Sequence, residues 1–263
     1  GGSKEMAIFI STLGNINWFC GYWSIFCSAG VTFYWISQSG WQRAVAGIYA
    51  MTGFMIGVLQ GSSSAYLALA GIFLFLFFLS FRENRAMCRF LELCMLFLLS
   101  CQTAGALRAL PGLTINYESA PGLMLTNTNI TLYLGIAVGA VYLLFRGMDK
   151  QKSIRIARWK NLRWAVLLLL LICAAGFVVL LTANTRNPDG VFGLGEVPLF
   201  VFNDTWANYR GATWTDGVLA YRSMTPLRKL IGIGPDCFAG YLYSVPELAD
   251  RIYAQFGNSR LTN

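Results

Sequence analysis

Two stretches, Gly71-Ile-Phe-Leu-Phe-Leu-Phe-Phe-Leu79 and Trp164-Ala-Val-Leu-Leu-Leu-Leu-Leu-Ile-Cys173, are apolar on every face. A helix on the surface of a water-soluble domain carries a polar stripe along one side, and neither stretch has one. Charged residues make up 12% of the 263 residues, against roughly 25% in an ordinary soluble domain. So few charges cannot cover a water-facing surface of this size, which makes the bilayer the main solvent.

The apolar segments predict an all-α polytopic membrane protein with about six spanning helices, over 16–36, 44–59, 65–81, 90–107, 129–145 and 164–182. The first span carries Trp18, Trp23 and Trp35 near its ends, read as interface anchors. Glycines in the second allow close helix packing. Gln60-Gly-Ser-Ser-Ser64 breaks the chain before the third, where the serines serve as helix caps. Pro111, Pro121 and several Gly and Asn residues make 109–128 a loop. Glu92 and Arg108 sit at the two ends of the fourth span, where such charges either face a polar cavity or, the reading favoured by their place near the interfaces, reach back toward the headgroups. Residues 1–182 therefore form the transmembrane bundle, and 183–263 a separate, mainly helical external segment.

Charge placement gives the orientation. The net charge is +8, and 146–163 alone contributes six of those eight charges through Arg146, Lys150, Lys152, Arg155, Arg158, Lys160 and Arg163 against Asp149. Residues from Thr185 onward carry seven basic and seven acidic side chains. The excess is thus a topology signal and not a nucleic-acid patch. Arg43, the Arg82–Arg89 loop and the 146–163 loop fall on the cytoplasmic side, which sends 183–263 outward. The seven cysteines show no CxxC spacing and there is no histidine, so neither a zinc site nor a histidine base is expected.

The terminal segment has its own pattern. Asn203-Asp-Thr-Trp206 precedes a helical stretch from Trp206 to about Met224, which Pro226 ends. Leu230-Ile-Gly-Ile-Gly-Pro-Asp236 reads as a glycine-rich turn. A last helix starts at Pro246 and runs to Phe256, with Gly257 behind it. Along the first of these helices Arg210, Trp214 and Arg222 recur at intervals of four and eight, on one face. Paired arginines hold phosphate or pyrophosphate through charge-assisted hydrogen bonds, and the N–H groups of Gly232-Ile-Gly234 add anion contacts. The same spacing also describes an amphipathic helix with its arginines in solvent. Trp206, Tyr209 and Trp214 offer rings on which sugars stack.

The order Arg210-x-x-x-Trp214, Pro226-Leu227, then Gly232-Ile-Gly234-Pro235-x-x-Phe238 resembles the core of the O-antigen ligase and polymerase family. Leu13-Gly-Asn-Ile-Asn17 and Gly61-Ser-Ser-Ser64 resemble two further phrases of that family, so the likeness runs from about residue 11 to the end. The resemblance implies a glycosyltransferase of the bacterial cytoplasmic membrane. It would move a glycan from an undecaprenyl-diphosphate donor to a lipid or glycan acceptor, without a metal or other cofactor. Arg210 matches the arginine that binds the diphosphate, with Trp214, Arg222, Gly232 and Gly234 as further substrate contacts. Two features depart from the family. Ala65 follows Ser63-Ser64 where an arginine is usual, and the histidine phrase expected after the external loop is absent, which leaves the general base unassigned. The chain is accordingly expected to be a fragment of a longer protein, inactive by itself. A polysaccharide transporter or flippase, or a non-catalytic membrane assembly protein, are the alternatives from other functional classes.

Overall fold

The computed structural model describes residues 16–110, 120–150, 155–187, 190–191, 193–195, 197–234 and 237–256. Among these every regular element is helical. The chain divides into two compact units, Gly1–Leu167 and Leu168–Asn263.

The first unit contains α1 (Ile16–Ile36), α2 (Gly40–Gln60), α3 (Ser63–Ser80), α4 (Asn84–Arg108), α5 (Ala120–Thr126), α6 (Thr128–Lys150) and the start of α7 (Lys160–Arg186). Five helical segments are long and apolar enough to cross a membrane: 40–60, 63–80, 84–108, 129–150 and 156–186. α1 has the length, but its tryptophans, tyrosines, serines and glycines dilute its hydropathy, and it is not among the five. Most of these helices outrun the apolar segments of the sequence, because the backbone hydrogen-bond ladder continues past the hydrocarbon layer into polar residues. On α7, Leu168, Leu169, Leu171 and Ile172 are more than half exposed, as a lipid-facing surface requires.

Close approach of α1 and α2 depends on glycine. A Cβ at Gly57 would stand 2.3 Å from the Trp23 ring, and one at Gly30 would stand 2.2 Å from Tyr49. Trp23 is therefore not an interface anchor. It is buried, and its indole N–H donates to the Gly53 carbonyl at 2.7 Å. Behind this contact, Phe54, Phe73 and Phe97 pack with ring centroids 5.2–5.6 Å apart.

Side chains from helix starts tie the basic end of this bundle together. Arg89, nearly buried on α4, donates to the Trp35 carbonyl and, at 2.5 Å, to the Ser37 carbonyl. These are carbonyls left over at the end of α1, where a cation is favoured. Arg85 donates to Gln38 Oε1 at 2.7 Å. Asn84 donates to Asp149 and accepts the Ile156 N–H, while Arg163 donates to the Phe78 carbonyl near the end of α3. The three basic loops are thus gathered at one end of the bundle.

Two further readings of this unit are corrected. The 109–128 stretch is not all loop, since α5 occupies 120–126, with Pro121 inside its first turn and Asn127 accepting the Asn129 and Ile130 N–H groups to start α6. Pro and Asn here mark helix starts and not a structureless turn. Glu92 does not reach for an interface. Tyr34 and Tyr142 both donate to its carboxylate. Ser62 behaves as expected, capping α3 through Ser64 N–H.

In the second unit, the distal half of α7 leads to a 3-10 turn at Pro198–Phe200, then α8 (Trp206–Ser223), α9 (Pro226–Ile231), α10 (Phe238–Ser244) and α11 (Pro246–Phe256). Its core is Ala220, Leu242, Leu248 and Ile252. The division between units falls inside α7, and residues after α7 fold back on its distal half. Phe200 packs on Phe177 with centroids 5.8 Å apart, and Thr185 Oγ1 accepts the Phe202 N–H at 2.9 Å.

Candidate functional site

The candidate residues sit on α8 and the turn after α9. The inward face of α8 is the four-residue repeat Ala212, Asp216, Ala220, all buried. Arg251 on α11 locks this face. Its Nε donates to Asp216 Oδ1 and its terminal nitrogen to Asp204 Oδ1, each at 2.7 Å. The Asp216 hydrogen bond, with the nearby Asp204 charge, pushes the Arg251 guanidinium above its ordinary pKa. The loop before α8 folds over its first turns, with the Asp204 carbonyl accepting the Ala212 N–H at 3.1 Å. Ala207, in the first turn, has φ 50°, the left-handed region that disfavours any side chain with a Cβ.

Opposite the buried stripe lie Arg210, Trp214, Val218 and Arg222, all exposed, so the four-residue spacing does put the three candidate side chains on the exposed side. Neither Arg210 nor Arg222 has a hydrogen bond or ion pair among the described residues. They are twelve residues apart, about 18 Å along the axis at 1.5 Å per residue. One diphosphate is too short to be gripped by both. Arg210 and Trp214 are one turn apart and belong together; Arg222 belongs to the other end of the helix.

Trp214 is part of an aromatic cluster. Its ring centroid lies 5.3 Å from that of Trp206 and 6.5 Å from that of Phe202, with Phe202 and Trp206 5.4 Å apart. Trp206 also donates its indole N–H to the Leu199 carbonyl at 3.0 Å. The segment that carries this cluster is tied to α7 by the Phe202 N–H bond to Thr185 Oγ1 and by the packing of Phe200 on Phe177.

The glycine-rich stretch begins two residues later than its sequence suggests, at Gly232, because 226–231 is helical. Thr225 accepts the Arg228 N–H as cap, and Pro226 occupies the first turn. Pro226 thus ends α8 and also begins α9. Gly232 (φ 79°) and Gly234 (φ 99°) both take left-handed backbone angles, which gives the Gly-x-Gly pattern a backbone reason. Gly232 N–H closes α9 on the Arg228 carbonyl at 2.8 Å, and the Gly234 carbonyl accepts the Cys237 N–H. Arg228 lies over the Tyr241 ring and Lys229 over the Tyr221 ring, at 5.7 and 5.6 Å. The Tyr209 side chain, Pro235 and the phrase at 13–15 fall outside the described residues.

Two cavities open in the first unit, of about 750 Å³ beside Phe33, Trp41, Val45 and Tyr49 and about 340 Å³ beside Tyr34, Arg43 and Met51. None of the candidate site residues lines either one. The groups that the sequence did not reveal are Asp204, Asp216 and Arg251. Only Asp216 left a trace, in the spacing of the inward stripe. Comparison with protein-family models, with curated proteins and with solved structures finds no match to this chain.

Proposed function

We propose that this chain is the donor-binding part of a membrane glycosyltransferase of the O-antigen ligase and polymerase kind, with α1 as a sixth span. In this reading it lies in the bacterial cytoplasmic membrane, with the three basic loops inside and 183–263 outside. The observation that carries the proposal is the Arg210 guanidinium, without a hydrogen bond or ion pair among the described residues and one turn from both Trp206 and Trp214. The segment that carries their aromatic cluster is tied to the spanning helix α7, where Phe200 packs on Phe177 and the Phe202 N–H donates to Thr185 Oγ1. A cation beside rings on a segment tied to a membrane helix suits a lipid-linked diphosphate carrying a sugar.

Arg210 neutralises the charge that develops on the departing diphosphate as the acceptor hydroxyl displaces it at the anomeric carbon with inversion. Trp214 offers the sugar a stacking face. Arg222, about 18 Å further along α8, contacts a separate group, such as an acceptor headgroup or a more distant part of the glycan. Gly232 and Gly234 leave the turn after α9 open to close approach of an anion. No metal or other cofactor enters the reaction.

The test is Arg210→Ala in the full-length protein, expressed in a strain lacking the native copy. Glycan transfer is expected to be lost while membrane insertion is retained, and lipid-linked oligosaccharides accumulate. Single repeat units would identify a polymerase, and full-length chains a ligase. Undiminished transfer by the variant overturns the proposal.

A further inference from the structure

The surface of α9 is unusual for a segment that faces water. Leu230 is 84% exposed, Ile231 69% and Leu227 65%. On a helix at 100° per residue these three fall on one side, while Arg228 and Lys229 flank it, braced by Tyr241 and Tyr221. Arg222, at the end of α8, adds a third exposed cation nearby in sequence. An apolar face rimmed by cations is the pattern of a helix that lies in the headgroup layer of a membrane.

We infer that α9 is an interfacial anchor that docks on anionic lipid. Leu227, Leu230 and Ile231 enter the boundary between headgroups and acyl chains, and Arg222, Arg228 and Lys229 meet lipid phosphates. Charge complementarity favours anionic lipid over an apolar protein surface, since a protein groove would have to desolvate three cations. Continuity with the bilayer is the second argument. Phe200 packs on Phe177, nine residues before the end of α7, or about 14 Å along the helix. The segment that leads into α8 and α9 is therefore tied back onto a helix long and apolar enough to cross a membrane. The inference does not depend on the transfer chemistry proposed above.

The test uses the full chain in bilayer nanodiscs, with native cysteines replaced by serine or alanine and a nitroxide attached at Leu230→Cys. With one part phosphatidylglycerol to two parts phosphatidylcholine, the nitroxide is expected to meet dissolved oxygen more readily than a water-soluble nickel complex. Arg228→Glu with Lys229→Glu should shift it toward nickel. A label as open to nickel as one in free solution overturns the inference. So does dipolar broadening that disappears on dilution with unlabelled chain, which would mean that a second copy covers the face. The unmodified chain gives an independent check, because amide exchange over 226–231 should be slower with phosphatidylglycerol present than in phosphatidylcholine alone. Equal exchange in the two bilayers also overturns it.

Discussion

Tyr34 on α1 donates its hydroxyl to Glu92 Oε2 on α4 across 2.8 Å. Tyr142 on α6 donates to the other carboxylate oxygen at 2.9 Å, and Arg146 in turn donates to Tyr142. One carboxylate thus joins three helices. Glu92→Ala leaves two hydroxyls without their acceptor, and should lower stability by about 1–3 kcal/mol. Tyr34→Phe removes one bond and should cost less, about 0.6–1.7 kcal/mol by the range found between membrane helices. Thermal unfolding in detergent measures both. The double variant should lose less than the two single losses combined, because the groups share one interaction. Strict additivity would show that the contact contributes nothing.

The α1–α2 contact makes a sharper demand. A methyl at Gly57 would overlap the Trp23 ring, and Trp23 is held by its bond to the Gly53 carbonyl. Gly57→Ala should therefore reduce the unfolding midpoint although alanine favours helix. Overpacking of this kind costs about 1–3 kcal/mol. Gly71→Ala is the control, since a Cβ there meets nothing within 4 Å; it should leave stability unchanged or slightly raised. Size-exclusion profiles after heating separate the two.

The apolar segments were legible because the period and length of a spanning helix are local properties. What failed depended on partners distant in the chain. Trp23 reads as an interface residue until its indole finds Gly53, thirty positions away, and Glu92 reads as a snorkelling end charge until two tyrosines from other helices reach it. α5 and α9 were hidden by their prolines, which stop one helix and start the next with equal ease. On α8 the four-residue spacing put both Arg210 and Arg222 on the exposed side, turned about 120° from each other. It could not make them neighbours, because a shared side says nothing about distance along the axis. Of the site's scaffold, Asp216 shows only in the four-residue spacing of the inward stripe, while Asp204 and Arg251 have no periodic signature.

Arg251 should be indispensable to the second unit. It is the ion-pair partner of the buried Asp216 carboxylate and of Asp204. Replacing it with Ala leaves the buried Asp216 carboxylate without its donor, a loss of about 1–3 kcal/mol, and Lys should rescue only in part because one ammonium does not reproduce the fork. Pairing raises the Arg251 pKa. Its contribution is therefore complete below the ordinary arginine value and declines only as pH climbs through the raised one. From about pH 6 to about pH 9 the deficit of Arg251→Ala should stay constant. Protease sensitivity over 203–256, followed across that range, is the measurement.

Gly211 stands directly after Arg210, and its need is steric. A Cβ there would come within 1.9 Å of the Asn203 carbonyl oxygen, the same oxygen that accepts the Trp206 N–H. Backbone cannot yield as a side-chain tip does. Gly211→Ala should therefore release the 203–205 loop from α8, breaking the Asp204 carbonyl bond to Ala212 and loosening the Asp204 end of the Arg251 clamp. Amide exchange over 203–212 should speed up by an order of magnitude or more, about 1.4 kcal/mol per factor of ten. Transfer should fall with it, since Arg210 and Trp206 lose their shared support. Gly217 lies on the same helix with nothing within 4 Å of its missing Cβ. There alanine should slow exchange, by up to about 1 kcal/mol of helix propensity. Opposite effects from one substitution at two glycines six residues apart would tie the order of the Arg210 turn to the loop folded across it; equal effects would remove that loop from any role in holding the site.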